Sequence, residues 1–219
     1  MNILIFGATG MVGLGVLREC LLDPDVTLVK TIGRSSTGQQ HPKLREIVHS
    51  DLFDYTSIED ELRDIDACFF CLGISSAGMT EADYTRISYD MTLAAATTLA
   101  RLNPNMTFTY VSGAGTDSSE QGRVMWARVK GKTENALLHL PFNAYMFRPG
   151  VIQPLHGIKS KTTSYRVFYA LSAPLFPILR AIFPTQITTT EALGKAMLAV
   201  TKHGADKHVL ESKDIATLR

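Results

Sequence analysis

The sequence predicts an α/β fold: a doubly wound, mainly parallel sheet of about seven strands with a small C-terminal cap. Three observations predict it. Apolar runs of strand length alternate with segments of helical period. A glycine-rich turn joins the first run directly to the first helical segment. Two polar loops, 34–43 and 112–122, each begin where a predicted strand ends. In open α/β sheets ligands bind at that end of the strands.

The elements follow in order. Residues 2–6 form a short buried strand, and 10–22 a helix with Val12, Val16, Leu17 and Cys20 at helical spacing. Strands are expected over 26–32, 44–49 and 67–72, with a short helix over 55–63. An Ala- and Thr-rich helix spans 83–102 and ends at Asn103-Pro104. A fifth strand covers 106–111, a helix 124–139, and a sixth strand 144–147 before Pro149-Gly150. From about Val151 the character changes: an aromatic, proline-broken stretch at 165–184, a helix from about Thr190 and a short strand at 208–210. The expectation is one domain over 1–219, with 151–219 contributing the cap.

Composition bounds the function. The chain has 219 residues, 45% hydrophobic and 20% charged, with a net charge of +1. A chain of this length buries about 70% of its unfolded surface, so one core needs no metal or disulfide staple. The charge balance carries no footprint for nucleic acid or an anionic membrane. Three cysteines suit a reducing compartment, and the start MNILIFGATG has no secretory pattern, so a cytoplasmic location is expected. The uncharged stretch 167–179 is broken by Pro174 and Pro177 and falls short of the roughly 20 residues of a membrane span. The wider apolar segment 165–183 suits core packing, a homodimer contact or a protein partner, with an apolar substrate pocket or a membrane-surface contact as alternatives.

Gly7-Ala8-Thr9-Gly10-Met11-Val12-Gly13 follows the first strand and opens the first helix. Glycines there let the backbone turn tightly and approach a pyrophosphate, while the helix N-terminus offers N–H groups to the anion. The G-x-x-G-x-x-G spacing, with Ala-Thr inside it, resembles the NAD(P)-binding Rossmann short-chain dehydrogenase/reductase superfamily in its atypical, extended, epimerase-like branch. Further motifs carry the likeness. Cys71-Leu72-Gly73 stands where that superfamily has its cofactor-lining Gly motif, and Ser112 where it has a catalytic serine. Phe147-Arg148-Pro149-Gly150-Val151 is similar to its turn beside the nicotinamide, which implies cofactor contacts for Pro149 and Val151. The series CLG, VSGAG, VKGKTE and FRPGV looks most like the Tat-interacting oxidoreductase-like proteins and their bacterial relatives. The likeness covers nearly the whole chain.

The second strand ends Thr31-Ile32-Gly33-Arg34-Ser35-Ser36, without the acid that bonds a ribose 2′-hydroxyl in NAD sites. Arg34 can pair with a 2′-phosphate, and Ser35 and Ser36 can add donors, so NADP is expected over NAD; a solvated loop arginine is the plainer alternative. Asp51-Leu52 resembles the superfamily's adenine-contacting pair, with Asp51 as a cap of the next segment the equal alternative.

The superfamily's chemistry uses Tyr-x-x-x-Lys, two residues on one helix face. Here Lys130 is present and Trp126 stands four residues before it. Indole is no proton donor near neutral pH. Either another group supplies the proton (Tyr165, Tyr169, His156, or Ser112 through water), or the reaction needs no tyrosine, or the site binds cofactor without turnover. Ser112, Lys130 and Trp126 are therefore the catalytic candidates, and the resemblance implies that Lys130 also binds the nicotinamide ribose. The expected function is an NADP-dependent oxidoreductase acting on a small or apolar carbonyl compound. The alternative is an NADP(H)-sensing regulator or interaction module. Cys68-Phe69-Phe70-Cys71 lies in a predicted strand rather than at a helix N-terminus and is read as structural. The six histidines form no H-x-x-x-H pair, so no metal site is expected.

Overall fold

The computed structural model describes residues 1–158, 176, 179, 182–183 and 185–218. β1 (Asn2–Phe6) leads through the glycine turn into α1 (Met11–Leu22), followed by β2 (Leu28–Gly33) and β3 (Leu44–Val48). A 3-10 turn (Thr56–Leu62) precedes β4 (Ala67–Phe70). α2 (Glu81–Thr85), a π-helical turn (Arg86–Asp90) and α3 (Met91–Leu102) then run on without a break. β5 (Thr107–Val111), α4 (Met125–Leu138), β6 (Asn143–Arg148) and β7 (Val151–Gln153) come next. β8 (Ile187–Thr189), α5 (Thr190–His203), β9 (Val209–Glu211) and α6 (Ser212–Ile215) complete the described chain.

The main sheet has the order β3-β2-β1-β4-β5-β6-β9, and every pairing in it is parallel. Its inner strands are covered on both faces, which is why they read as near-continuous apolar runs. The two-residue side-chain period splits β1 between two cores. Ile3 and Ile5 face Val16, Leu17, Leu193 and Met197 of α1 and α5. Leu4 and Phe6 face Phe70, Leu99 and Phe108 on the other side. α1 and α5 approach closely through small residues: a Cβ on Gly15 would stand 2.4 Å from Thr190 Cβ, and one on Gly194 would stand 2.8 Å from Glu19 Cγ.

Several local readings change. The predicted short helix over 55–63 is a 3-10 turn. The long helix starts earlier, at Glu81, because Thr80 Oγ1 accepts the Asp83 N–H at 3.2 Å and caps it. Its π turn has no signature in hydrophobic period. The fourth strand stops at Phe70, so Cys71-Leu72-Gly73 leave the ladder, although Cys71 N still donates to Phe6 O at 3.0 Å. The parallel pair β7–β8 was unforeseen. The C-terminal residues join the main body: β9 is the seventh strand beside β6, and α5 covers α1. Most of 165–183 lies outside the described residues. Within it, Phe176 is buried while Ile182 and Phe183 are exposed.

Candidate functional site

β1 lies between β2 and β4, the point at which the strand order reverses. A cleft of about 760 Å³ opens there, at the carboxyl ends of the strands. It gathers four groups expected from sequence: Gly7, Thr9, Gly10 and Met11; Arg34 and Ser35; Asp51 and Leu52; Cys71, Leu72 and Gly73. The π turn adds Ile87, and Met91 follows it on the same wall. Val12, Gly13, Ser112, Trp126, Lys130, Pro149 and Val151 do not line this cleft.

Close backbone packing makes the floor of the cleft. Gly7 has φ +78°, and a Cβ there would lie 2.7 Å from Leu72 N. Gly10 N donates to Gly7 O at 2.9 Å, closing the turn. Gly13 sits behind it, where a Cβ would come within 2.2 Å of Gly7 O. Gly13 therefore acts by letting α1 abut the turn, not by facing the cleft. α1 has no side-chain cap and no acid in its first turn, so its leading N–H groups are left for a ligand. A bare helix N-terminus behind a backbone cradle fits the pyrophosphate of a dinucleotide.

At the end of β2, Arg34 is exposed and makes no ion pair or hydrogen bond among the described residues. The loop beyond it is anchored by Glu46, which accepts from Ser36 Oγ, from Thr37 N at 2.6 Å and from Thr37 Oγ1 at 2.5 Å. Burial opposes the Glu46 charge, but these hydrogen bonds prevail and hold its carboxyl below the usual range. Asp51 accepts the Phe53 N–H at 2.9 Å, the local cap expected as its alternative role, and lines the cleft as well. Cys71 is a free thiol that burial pushes up to about 12, so it stays protonated; Cys68 and Cys20 are free and buried.

The catalytic candidates cluster at the end of β5. Ser112 is buried, and its Oγ donates to Phe147 O at 3.1 Å. Lys130 Nζ donates to Ser112 O and, at 3.5 Å, to Val111 O. Trp126 lies one turn earlier on the same face of α4 and leans over Gly115, where a Cβ would be 3.6 Å from the indole. Gly131 lets α4 touch the same loop, since a Cβ there would stand 1.8 Å from Asp117 O. Pro149 O accepts Ala114 N at 2.9 Å, and Val151 is partly exposed beside β8.

Two clusters escaped the sequence reading. Arg148 was expected only as part of a turn. Its guanidinium bonds buried Glu134, Glu211 at 3.0 Å and Ser118 Oγ at 2.5 Å, tying β6 to α4, β9 and the 112–122 loop. On the α1–α5 face, ligand atoms of Glu19, His156 and Glu191 lie within 4.8 Å of one another. His156 Nε2 is 2.7 Å from Glu191, and Arg18 and Lys195 balance the two carboxylates. Hydrogen bonds from Lys195 and then His156 hold Glu191 down at about 2. Its folded value lies below the ordinary 4.5, so its contribution is full above that pH and is lost as pH falls towards 2. Glu191→Gln should therefore flatten the acid decline of the melting temperature in that window. Parallel acid slopes for wild type and variant would remove Glu191 from the account.

The glycine cradle, the uncapped helix and the switch-point cleft define a dinucleotide-binding α/β protein. The chain belongs to the NAD-dependent epimerase/dehydratase family, whose model matches residues 3–124. Its fold is the NAD(P)-binding Rossmann fold of that superfamily. The narrower likeness to Tat-interacting oxidoreductase-like proteins rests on the motifs alone. Similar curated proteins include the mitochondrial protein fmp52 of Emericella nidulans, 30% identical over 69% of this chain and 66% of its own length. FMP52-1 of Scheffersomyces stipitis, also named mitochondrial, is 29% identical over 69% of this chain and 67% of its own. The chain thus spans about two thirds of the length of these relatives. Among solved structures, UDP-glucose 4-epimerase of Thermotoga maritima aligns over 96% of this chain and 76% of its own, with 13% identity and a TM-score of 0.71. WbmF of Bordetella bronchiseptica, in complex with NAD+, aligns over 99% and 76%, with 15% identity and a TM-score of 0.68. At such identities these structures show the fold alone.

The relatives correct one expectation. They are named mitochondrial, which overturns the cytoplasmic location. A low cysteine count suits any reducing compartment and does not separate one from another. No described helix is long and apolar enough to cross a membrane.

Proposed function

We propose that the chain binds NADP(H) in the β1–β4 cleft and reduces a small or apolar carbonyl compound. The observation that carries the cofactor choice is Arg34. It stands on the cleft wall without a protein partner among the described residues, where an NAD site would present an acid. A 2′-phosphate would pair with it, and Ser35 would add a hydroxyl donor. Gly7, Gly10 and the first turn of α1 would hold the pyrophosphate, and Asp51 and Leu52 would border the adenine. Lys130 would meet the nicotinamide ribose, with Pro149 and Val151 beside the ring. When bound, the reduced nicotinamide supplies a hydride.

Calorimetric titration tests the cofactor reading. NADPH should bind more tightly than NADH by about ten- to a hundredfold, the range of one charge-assisted hydrogen bond. Arg34→Glu should abolish or invert that ratio. Equal affinities, or a ratio untouched by the substitution, would exclude Arg34 from the 2′-phosphate.

Trp126 in the tyrosine position favours a second reading, an NADP(H)-sensing module without turnover. Tight NADPH binding with no carbonyl reduction would support it.

A further inference from the structure

The proposed reduction needs a proton as well as a hydride, and the structure narrows its source. Trp126 cannot give one. The Ser112 hydroxyl proton is directed at Phe147 O. His156 is held by Glu191 on the α1–α5 face, behind the sheet from α4. Tyr165 and Tyr169 lie outside the described residues. Tyr110 is buried, and burial pushes its phenol far above neutral pH.

Lys130 remains. Its ammonium sits at the carboxyl end of β5, directly beside Ser112, with two N–H groups accounted for by the carbonyls of Ser112 and Val111. An ammonium has three donors, and the 3.5 Å contact to Val111 O is the weak one, so the ribose and the substrate oxygen can each take a donor while Ser112 O keeps the third. We propose that Lys130 is itself the proton donor to the substrate carbonyl oxygen, with Trp126 filling the space of the absent phenol. This rests on the NADP(H) reading above.

The balance is simple. A bound reduced nicotinamide would supply the hydride to the carbonyl carbon, and the C=O π pair would move to oxygen. An Nζ–H bond breaks as the O–H bond of the alcohol forms. The carbonyl is reduced, the dinucleotide is oxidised, and the neutral amine regains its proton from water. The surroundings suit the role. Burial drives the Lys130 ammonium down to about 8, while the Glu134 charge opposes the shift. Glu134 is in turn occupied by Arg148, and the Tyr110 ring face lies 5.9 Å from Nζ. A donor near the working pH is the favourable case for general acid catalysis.

Two measurements test this. The first uses the cofactor-free full chain: lysines are methylated with ¹³C-formaldehyde and titrated by NMR, with the Lys130 signal assigned by its loss in Lys130→Arg. A midpoint near 8, well below the other lysines, is expected, and one above about 10 overturns the proposal. The second follows NADPH oxidation with 4-nitrobenzaldehyde beside calorimetric NADPH binding. Lys130→Arg keeps the charge but no releasable proton, so kcat should fall about 10²–10⁴-fold, well beyond whatever NADPH affinity is lost with the ribose contact, which calorimetry reads on the same variant. The wild-type kcat should decline as pH rises through the Lys130 midpoint. Trp126→Tyr added to Lys130→Arg should restore part of the rate by returning a phenol. An unchanged kcat in Lys130→Arg overturns the proposal. So does a wild type that binds NADPH and leaves the aldehyde untouched, although the cofactor reading then stands. Failure to bind NADPH overturns both.

Discussion

Arg148→Ala should destabilise the fold by about 3–5 kcal/mol, the range for breaking a buried ion pair from one side. Arg148 is only 8% exposed and Glu134 is fully buried. Nε lies 3.1 Å from each Glu134 carboxylate oxygen, and a terminal nitrogen bonds the same group. Truncation takes away the cation that is hydrogen-bonded to that buried carboxylate. It also releases Glu211 at the sheet edge and Ser118 in the loop beside Ser112. A domain of this size loses about 2–4 °C per kcal/mol, so the melting temperature should drop roughly 6–20 °C. Arg148→Met combined with Glu134→Leu should recover most of the loss, because an apolar pair of similar volume replaces a desolvated charge pair at little net cost. Thermal melts of the single and double variants decide the matter. A single variant within about 1 kcal/mol of wild type would mean that water reaches Glu134.

Gly13→Val should remove dinucleotide binding. The new Cβ would stand 2.2 Å from Gly7 O, 2.6 Å from Gly7 C and 2.9 Å from Ala8 Cα. All three are backbone atoms and cannot rotate away. Either α1 retreats from the sheet or the Gly7–Gly10 turn shifts, and both move the N–H groups off the pyrophosphate. A displacement of about 1 Å in a positioning group can lower function about 10²-fold, and a loss of at least that order in NADPH affinity is expected. Circular dichroism and a thermal melt on the same sample separate a displaced turn from a lost fold. A folded variant with wild-type affinity would show that the anion is held elsewhere.

Most of the framework was legible because it is local. Alternating Ile3, Leu4, Ile5 and Phe6 announce a strand covered on both faces, and Val12, Val16, Leu17 and Cys20 announce a helix stripe. Glycines at the end of the first strand mark the turn, and Arg34 at the end of the second was expected on the cleft it lines. Lys130 four residues after Trp126 puts both on one face of α4. Each of these signals lies within a few residues of chain, where backbone geometry repeats.

The sequence by itself determined the chain order of the seven main-sheet strands and the longer helices, the glycine turn after β1, and Arg34 and Ser35 at the end of β2. Tertiary structure alone decided that α1 and α5 meet through Gly15 and Gly194, and that β9 completes the sheet. It alone turned Arg148 towards Glu134 and Glu211, partners 14 and 63 residues away. It alone brought His156 to Glu191, 35 residues on. The reason is physical: strand and helix periods repeat every two to four residues and can be read from one segment. An ion pair or a close helix contact depends on how distant segments pack, and no period within either segment records its partner.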